Sequence, residues 1–239
     1  MSAKQVQVVW VTGASRGIGA ATARAFAASG AHVVLTGRDI RALRQNVLKI
    51  REYGGKASTL RCDVERESSV ALAYKTISKK FRKVDVLVNN AGVTYFKSFE
   101  KTTVKDFDHV MATNLRGVFL CTKSVLPSML RRRNGFIINI LSVSATTTFK
   151  NSSAYAASKA GVLALSRSLR AEVRKNGVRV IDILPGAVET EMWDRNERKK
   201  YHNKMMQPED VAEVVVSVVR QPKRVLTEEI VIRPVEGDL

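Results

Sequence analysis

The sequence predicts a doubly wound α/β fold: one parallel sheet of about seven strands with helices on both faces. Three observations carry that reading. Short apolar, β-branched runs alternate with longer segments of helical period along the chain, and such alternation means βαβ crossovers between parallel strands. Two of the strand segments, 136–141 and 178–184, are apolar almost throughout, as strands covered on both faces must be. No repeat, low-complexity tract or Pro/Gly/Ser linker divides the 239 residues. Residues 1–239 therefore read as one domain, at a length where a single large core is the default.

In order, residues 6–12 (VQVVWVT) are the first strand and 17–29 an Ala-rich helix. A second strand, 32–36, leads to a helix over 40–53 whose apolar residues fall at 40, 43, 47, 48 and 50, one face of a 3.6-residue period. Strands follow at 58–62, 84–89, 135–141 and 178–184, separated by helices near 68–81, 103–130 and 154–175. A helix over 208–219 precedes the last strand, 229–233. In doubly wound sheets ligands collect beyond the carboxyl ends of the strands, so the chemistry is expected there.

Composition narrows the class. The chain is 45% hydrophobic and 26% charged, which is neither disordered nor collagen-like. It has no apolar run of about 18 residues, which excludes a spanning helix. Residues 1–10 lack the order of a secretory signal. Cys62 and Cys121 cannot make a disulfide framework, so reduced thiols and a cytoplasmic location are expected. Lys and Arg outnumber Asp and Glu by 40 to 22, a net charge of +18. That charge concentrates anionic partners nearby. Its sharpest clusters, Arg131-Arg132-Arg133 and Arg198-Lys199-Lys200, carry no interleaved aromatics to stack on bases. They read as solvated surface, with no specific nucleic-acid or membrane partner expected.

The first strand runs directly into Thr12-Gly13-Ala14-Ser15-Arg16-Gly17-Ile18-Gly19 and then a helix. Glycines permit a tight turn and close backbone approach to a pyrophosphate, which a helix N-terminus stabilises with free N–H groups and its dipole. The spacing is G-x-x-x-G-x-G, not the commoner G-x-G-x-x-G. Nucleotide binding is expected at Gly13, Ser15, Arg16, Gly17, Ile18 and Gly19.

Four further motifs follow in order: Asn89-Asn90-Ala91-Gly92 after the fourth strand, Asn114 in the next helix, Ser142 thirteen residues before Tyr155-x-x-x-Lys159, and Pro185-Gly186 with Thr190. Together with the turn they resemble the classical short-chain dehydrogenases/reductases over nearly the whole chain, a family with a Rossmann-type fold. The pattern is most similar to 3-oxoacyl-[acyl-carrier-protein] reductases, although the ending Val235-Glu236-Gly237-Asp238-Leu239 and Leu141 depart from that subfamily.

Tyr155 and Lys159 stand four residues apart, on one helix face. A free phenol near pKa 10 is a poor acid–base group at neutral pH. A positive charge about 5 Å away, at an effective dielectric near 20, favours phenolate by roughly 3 kcal/mol, about two pKa units, so Lys159 is expected to pull Tyr155 down toward a working range. The resemblance implies that Ser142 polarises a substrate carbonyl and orients Tyr155. Ser144 competes, and Ser142 is preferred on its spacing. The three histidines, His32, His109 and His202, match no hydrolase triad. Mid-helix Asn114 reads either as a kink residue or, by resemblance, as the holder of a water linking Lys159 to solvent. No metal site is expected.

For the cofactor, an acid would stand at the end of the second strand to bind a ribose 2′-hydroxyl. Here that position is Gly37, followed by Arg38, with Arg16 inside the turn. Two guanidiniums and no acid favour a 2′-phosphate, hence NADP(H). Asp39 reads as the cap of the next helix. By resemblance Asp63 and Val64 contact the adenine, and Asn90, Ala91 and Gly92 line the cofactor. Pro185, Gly186, Val188 and Thr190 position the nicotinamide, and residues 187–207 form a short lid. Asp63 reads equally as an ordinary turn former, and Met192, Trp193, Met205 and Met206 either line an apolar pocket or pack the lid down. Thr146, Thr147, Thr148 and Phe149 are further candidates for shaping the pocket.

The expected activity is NADPH-dependent carbonyl reduction or its reverse on a small ketone or secondary alcohol. Reduction of a carrier-bound acyl thioester, with Arg131–Arg133 docking the acidic carrier near the active-site side, is the alternative. A reading of another class is a dinucleotide-binding scaffold with a polyanion-binding surface. By resemblance a homotetramer or homodimer is expected, paired through helices 103–130 and 154–175; the apolar run Ala160, Val162, Leu163, Leu165 and Leu169 suits that pairing or packing on the sheet.

Overall fold

The computed structural model describes residues 7–222 and 224–238; Val6, at the start of the expected first strand, lies outside them. Seven strands, β1 (Val8–Thr12), β2 (His32–Gly37), β3 (Lys56–Arg61), β4 (Val86–Asn89), β5 (Gly135–Ile140), β6 (Val178–Pro185) and β7 (Glu229–Ile232), form one sheet in the order β3-β2-β1-β4-β5-β6-β7. Every pairing is parallel. The helices are α1 (Gly17–Ala28), α2 (Ile40–Glu52), α3 (Glu67–Phe81), α4 (Val104–Met111), α5 (Gly117–Arg132), α6 (Ser153–Val173), α7 (Arg195–Tyr201) and α8 (Pro208–Arg220). Strand order reverses between β1 and β4, which opens a crevice at their carboxyl ends.

Alternate side chains of each strand point to opposite faces, and two cores result. Val9, Val11, Leu35 and Ile138 pack with Phe26 of α1, Leu43 of α2 and Val215 of α8. Trp10, Leu87 and Ile137 pack on the other face with Ile77 of α3 and Val125 and Met129 of α5. Trp10 is fully buried, and its indole N–H donates to Thr36 Oγ1 at 2.9 Å. The buried pair Arg170–Asp182, at 2.8 Å, ties α6 to β6, and Asn139 of β5 donates to the same carboxylate.

Local chemistry sets the helix starts. Asp39 caps α2 by accepting from the Arg41 and Ala42 N–H groups, which occupies its carboxylate as the sequence suggested. Thr103 and Asp106 form a reciprocal capping box on α4. Among the described residues, no helix is long and apolar enough to cross a membrane.

Three expectations are corrected. β3 begins at Lys56, two residues before its β-branched segment, because pairing of Lys56 with His32 extends it past its own propensity. The helix expected over 103–130 is interrupted at residues 112–116, where a π-helical turn joins α4 to α5 and contains Asn114. The Arg131–Arg133 cluster lies away from the active-site side. It closes α5 at the amino end of β5, where Arg132 binds the Asp85 carboxylate and the Val84 carbonyl and Arg133 donates to the Lys175 carbonyl. Six strand residues, about 20 Å, separate it from the carboxyl edge.

Gly13 has φ +63°, and a Cβ there would stand 2.7 Å from Ala91 Cα. Gly13→Ala is therefore expected to lose about 1–3 kcal/mol of stability, read as a lower urea midpoint at unchanged m-value.

Candidate active site

The glycine turn and the four motifs that follow it reach the carboxyl edge of the sheet. The β1 turn carries Gly13, Ser15 and Arg16 into α1, whose first residues are Gly17, Ile18 and Gly19. The α1 N-terminus has no side-chain cap and no acid in its first turn, so its leading N–H groups are open to an anion. Gly17, at φ +53°, faces Thr190 across a narrow gap: a Cβ would stand 3.2 Å from Thr190 Cγ2. Gly19 also admits a close neighbour, since a Cβ there would meet Asn90 Nδ2 at 2.3 Å.

Thr12, the first residue of the motif, and Asn46, which the sequence did not single out, hold this turn. Thr12 Oγ1 donates to the Val88 carbonyl and accepts from the Asn90 and Ala91 N–H groups, pinning β1 to β4. Asn46 of α2 donates to the Ala14 and Ser15 carbonyls; nothing in its helical spacing signals that role. The Asn90 side chain donates to the Thr12 and Gly13 carbonyls. Asn89 donates to Thr122 of α5 and to Asn139 of β5.

Arg16 and Arg38 are both exposed, at the turn and at the end of β2. Arg38 Nη1 lies 3.5 Å from Glu65 Oε1. Asp63 forms a turn, its Oδ1 accepting from the Glu65 N–H at 3.2 Å, while Val64 is buried beside it.

Beyond β4 the acid–base residues converge. Asn114 is 1% exposed; its Oδ1 accepts from the Val93 N–H, and its Nδ2 donates to the Val93 carbonyl and to Ser158 Oγ. A Cβ on Gly92 would stand 3.4 Å from Asn114 Oδ1 and 3.8 Å from Lys159 Nζ, so the glycine leaves room in front of the lysine. Ser142 follows β5, accepting from the Ser144 N–H and donating to Ser144 Oγ. Ser142 and Ser144 are thus hydrogen-bonded to each other. Tyr155 is the third residue of α6, and Lys159, one turn on, places Nζ 5.5 Å from the Tyr155 ring centroid and donates to the Ile140 carbonyl at 2.7 Å.

The spacing of this pair agrees with the sequence reading; its electrostatics do not. Burial raises the Tyr155 phenol to about 12, opposed by a hydrogen bond with Ser142. Burial lowers Lys159 to about 8. Removing water penalises the charged form of each group, and that penalty is the largest influence on both. The phenol therefore keeps its proton at neutral pH.

After β6, Gly186 through Thr190 run toward Gly17, and a short bridge between Val188 and Met206 joins the two ends of the segment 187–207. Glu189 accepts from His202 at 2.6 Å and from Gln207 at 3.0 Å. Met205 is buried and Met206 packs on the core, so both anchor the segment 187–207. Met192 is 40% exposed, and Trp193 stacks on Phe96, ring centroids 5.7 Å apart and 29° between planes. On α6, Val162 and Leu163 are buried on the sheet side and Ala160 is exposed.

The short chain dehydrogenase family profile matches residues 7–201. A sepiapterin reductase from Chlorobaculum tepidum is 38% identical over 239 residues, covering 97% of this chain and 98% of the relative. A 3-oxoacyl-[acyl-carrier-protein] reductase from Synechocystis is 40% identical over 195 residues, 81% of this chain and 79% of the relative. A metagenomic short-chain oxidoreductase solved with NADP has TM-score 0.86 at 34% identity, covering 97% of this chain and 99% of that one. An actinorhodin polyketide ketoreductase variant solved with NADPH has TM-score 0.91 at 30% identity over 100% of both. With the strand order, the glycine turn and the buried Tyr155–Lys159 pair, these likenesses show that the chain belongs to the short-chain dehydrogenases.

Proposed function

We propose that the protein is an NADPH-dependent carbonyl reductase that converts a ketone to a secondary alcohol. The convergence of Ser142, Tyr155 and Lys159 on the edge that carries the open α1 N-terminus supports it most. Bound NADPH supplies the hydride for the carbonyl carbon. Gly13, Ser15, Gly17, Ile18 and Gly19 hold the pyrophosphate; Arg16 and Arg38 hold the 2′-phosphate. Asp63, Val64, Asn90, Ala91 and Gly92 line the adenosine, and Pro185, Gly186, Val188 and Thr190 face the nicotinamide. Relatives solved with NADP and NADPH support this choice.

Ser142 Oγ and Tyr155 hold the substrate oxygen, and Tyr155 donates the proton that turns the developing alkoxide into a hydroxyl. A phenol held in its protonated form is the donor that reduction needs, which favours the reductive direction at neutral pH. Lys159 stabilises the phenolate left behind, and Asn114 holds the water that returns a proton toward it.

For the substrate, the Phe96–Trp193 stack is the informative feature. One ring comes from the loop after β4 and the other from residues 187–207, so the stack joins those two segments beside the site. That favours a ketone carried on a planar conjugated ring, in keeping with the sepiapterin reductase relative. A carrier-bound 3-oxoacyl thioester is the second reading, favoured by the Synechocystis relative. Self-association as a tetramer or dimer belongs to the same proposal; Phe107 of α4 and Phe119 of α5, 43% and 45% exposed, offer it apolar surface.

Tyr155→Phe is expected to lower ketone turnover by about 10²–10⁴-fold with NADPH binding retained; unchanged turnover would remove Tyr155 from the chemistry. Arg38→Ala is expected to weaken NADPH binding by about 10–100-fold, the weight of a charge-assisted bond, and to leave NADH binding alone. Reduction rate should stay level up to about pH 8 and fall above it, as Lys159 passes from ammonium to free amine; a rate that climbs through pH 9 would contradict this role.

A further inference from the structure

We propose that Glu65 and His109 couple occupancy of the 2′-phosphate site at Arg38 to the loop 92–98 beside the substrate, so that a 2′-phosphorylated cofactor sets the entrance of the active site. This inference rests on the reading of the cofactor as NADPH.

The four side chains form a continuous chain. Glu65 Oε1 lies 3.5 Å from Arg38 Nη1 and 3.1 Å from His109 Nε2, and it accepts from Thr113 Oγ1 at 2.7 Å. On the other side of the imidazole, Tyr95 Oη stands 2.7 Å from His109 Nδ1. With a neutral ring the two contacts fix one arrangement: Nε2–H donates to Glu65 and Nδ1 accepts from the Tyr95 hydroxyl. Further charged neighbours are Lys97, which stands over the Tyr95 ring and pairs with Asp106, Arg116, which donates to the Glu65 carbonyl, and Asp63, which accepts from the Glu65 N–H and pairs with Arg66.

Tyr95 sits in the middle of a loop whose other members already serve the site. Val93 is held by Asn114, Phe96 stacks on Trp193 of the lid, and the Lys97 N–H donates to the Asn151 carbonyl of the segment after Ser142. At 3.5 Å the Arg38–Glu65 contact is the longest link in the chain, and a phosphate dianion outcompetes a single carboxylate for a guanidinium. Once Arg38 turns to the phosphate, the Glu65 oxygen is left to His109 and Thr113. Their bonds tighten, and Tyr95 with its loop is drawn toward α4. An unphosphorylated ribose leaves Arg38 on Glu65 and the loop as it stands.

The pair adenosine 2′,5′-bisphosphate and adenosine 5′-monophosphate isolates the 2′-phosphate without reaching the substrate loop. Binding is followed by calorimetry and by emission of Trp193, assigned with Trp193→Phe because Trp10 is the one other tryptophan. The bisphosphate is expected to produce a saturable change in Trp193 emission that the monophosphate does not, and Tyr95→Phe and Glu65→Gln are expected to abolish it while still binding the bisphosphate. Tighter bisphosphate binding with the same Trp193 signal for both ligands, or a signal that survives in both variants, overturns the coupling and leaves the cofactor reading standing. Equal affinity of the wild-type protein for the two ligands overturns the cofactor reading and the coupling together.

Discussion

The Lys159 ammonium is buried, bonded to the Ile140 carbonyl at 2.7 Å, and one helical turn from a buried phenol. Much of the carboxyl edge is arranged around keeping that pair dry and in place. Gly92 lies against Lys159 and Asn114, and Asn114, bonded to both Val93 and Ser158, ties the loop after β4 to α6. Burial costs both charged forms, so the pair rests as a neutral phenol beside a weakened ammonium. Such a pair is poised to give a proton to an oxygen that is gaining negative charge.

The fold was legible because its signals are local and repeated. Most strands are short β-branched runs, and longer helices such as α2 carry an apolar stripe of 3.6-residue period. What could not be read was set by tertiary context. Pairing to β2 pulled Lys56 into β3, and the π turn at 112–116 coincides with the two bonds between Asn114 and the Val93 backbone. The spacing of Tyr155 and Lys159 gave their shared face and separation. It gave no information on burial, which is why attraction alone suggested a phenol shifted the wrong way.

Residues of the site divide along the same line. Those on strand ends or in glycine turns, such as Gly13, Ser142 and Thr190, announce themselves through position. Those acting from a distance do not: Asn46 reaches the turn from α2, and Glu65, His109 and Tyr95 meet from segments up to 44 residues apart. His109 matched no triad in sequence, yet it stands between a hydroxyl and a carboxylate. Likewise, Arg131–Arg133 suggested a carrier dock until the direction of β5 put them at its amino end.

Whether burial or the lysine charge governs the phenol is open to direct observation. Carbon-13 at the ζ position of tyrosine reports phenol against phenolate by NMR, and comparison with a Tyr155-substituted protein assigns the signal. The account predicts that Tyr155 keeps the phenol shift from pH 6 through about pH 9, the consequence of a value near 12. A phenolate signal already dominant at pH 7 would contradict it, and would mean that the lysine charge outweighs desolvation.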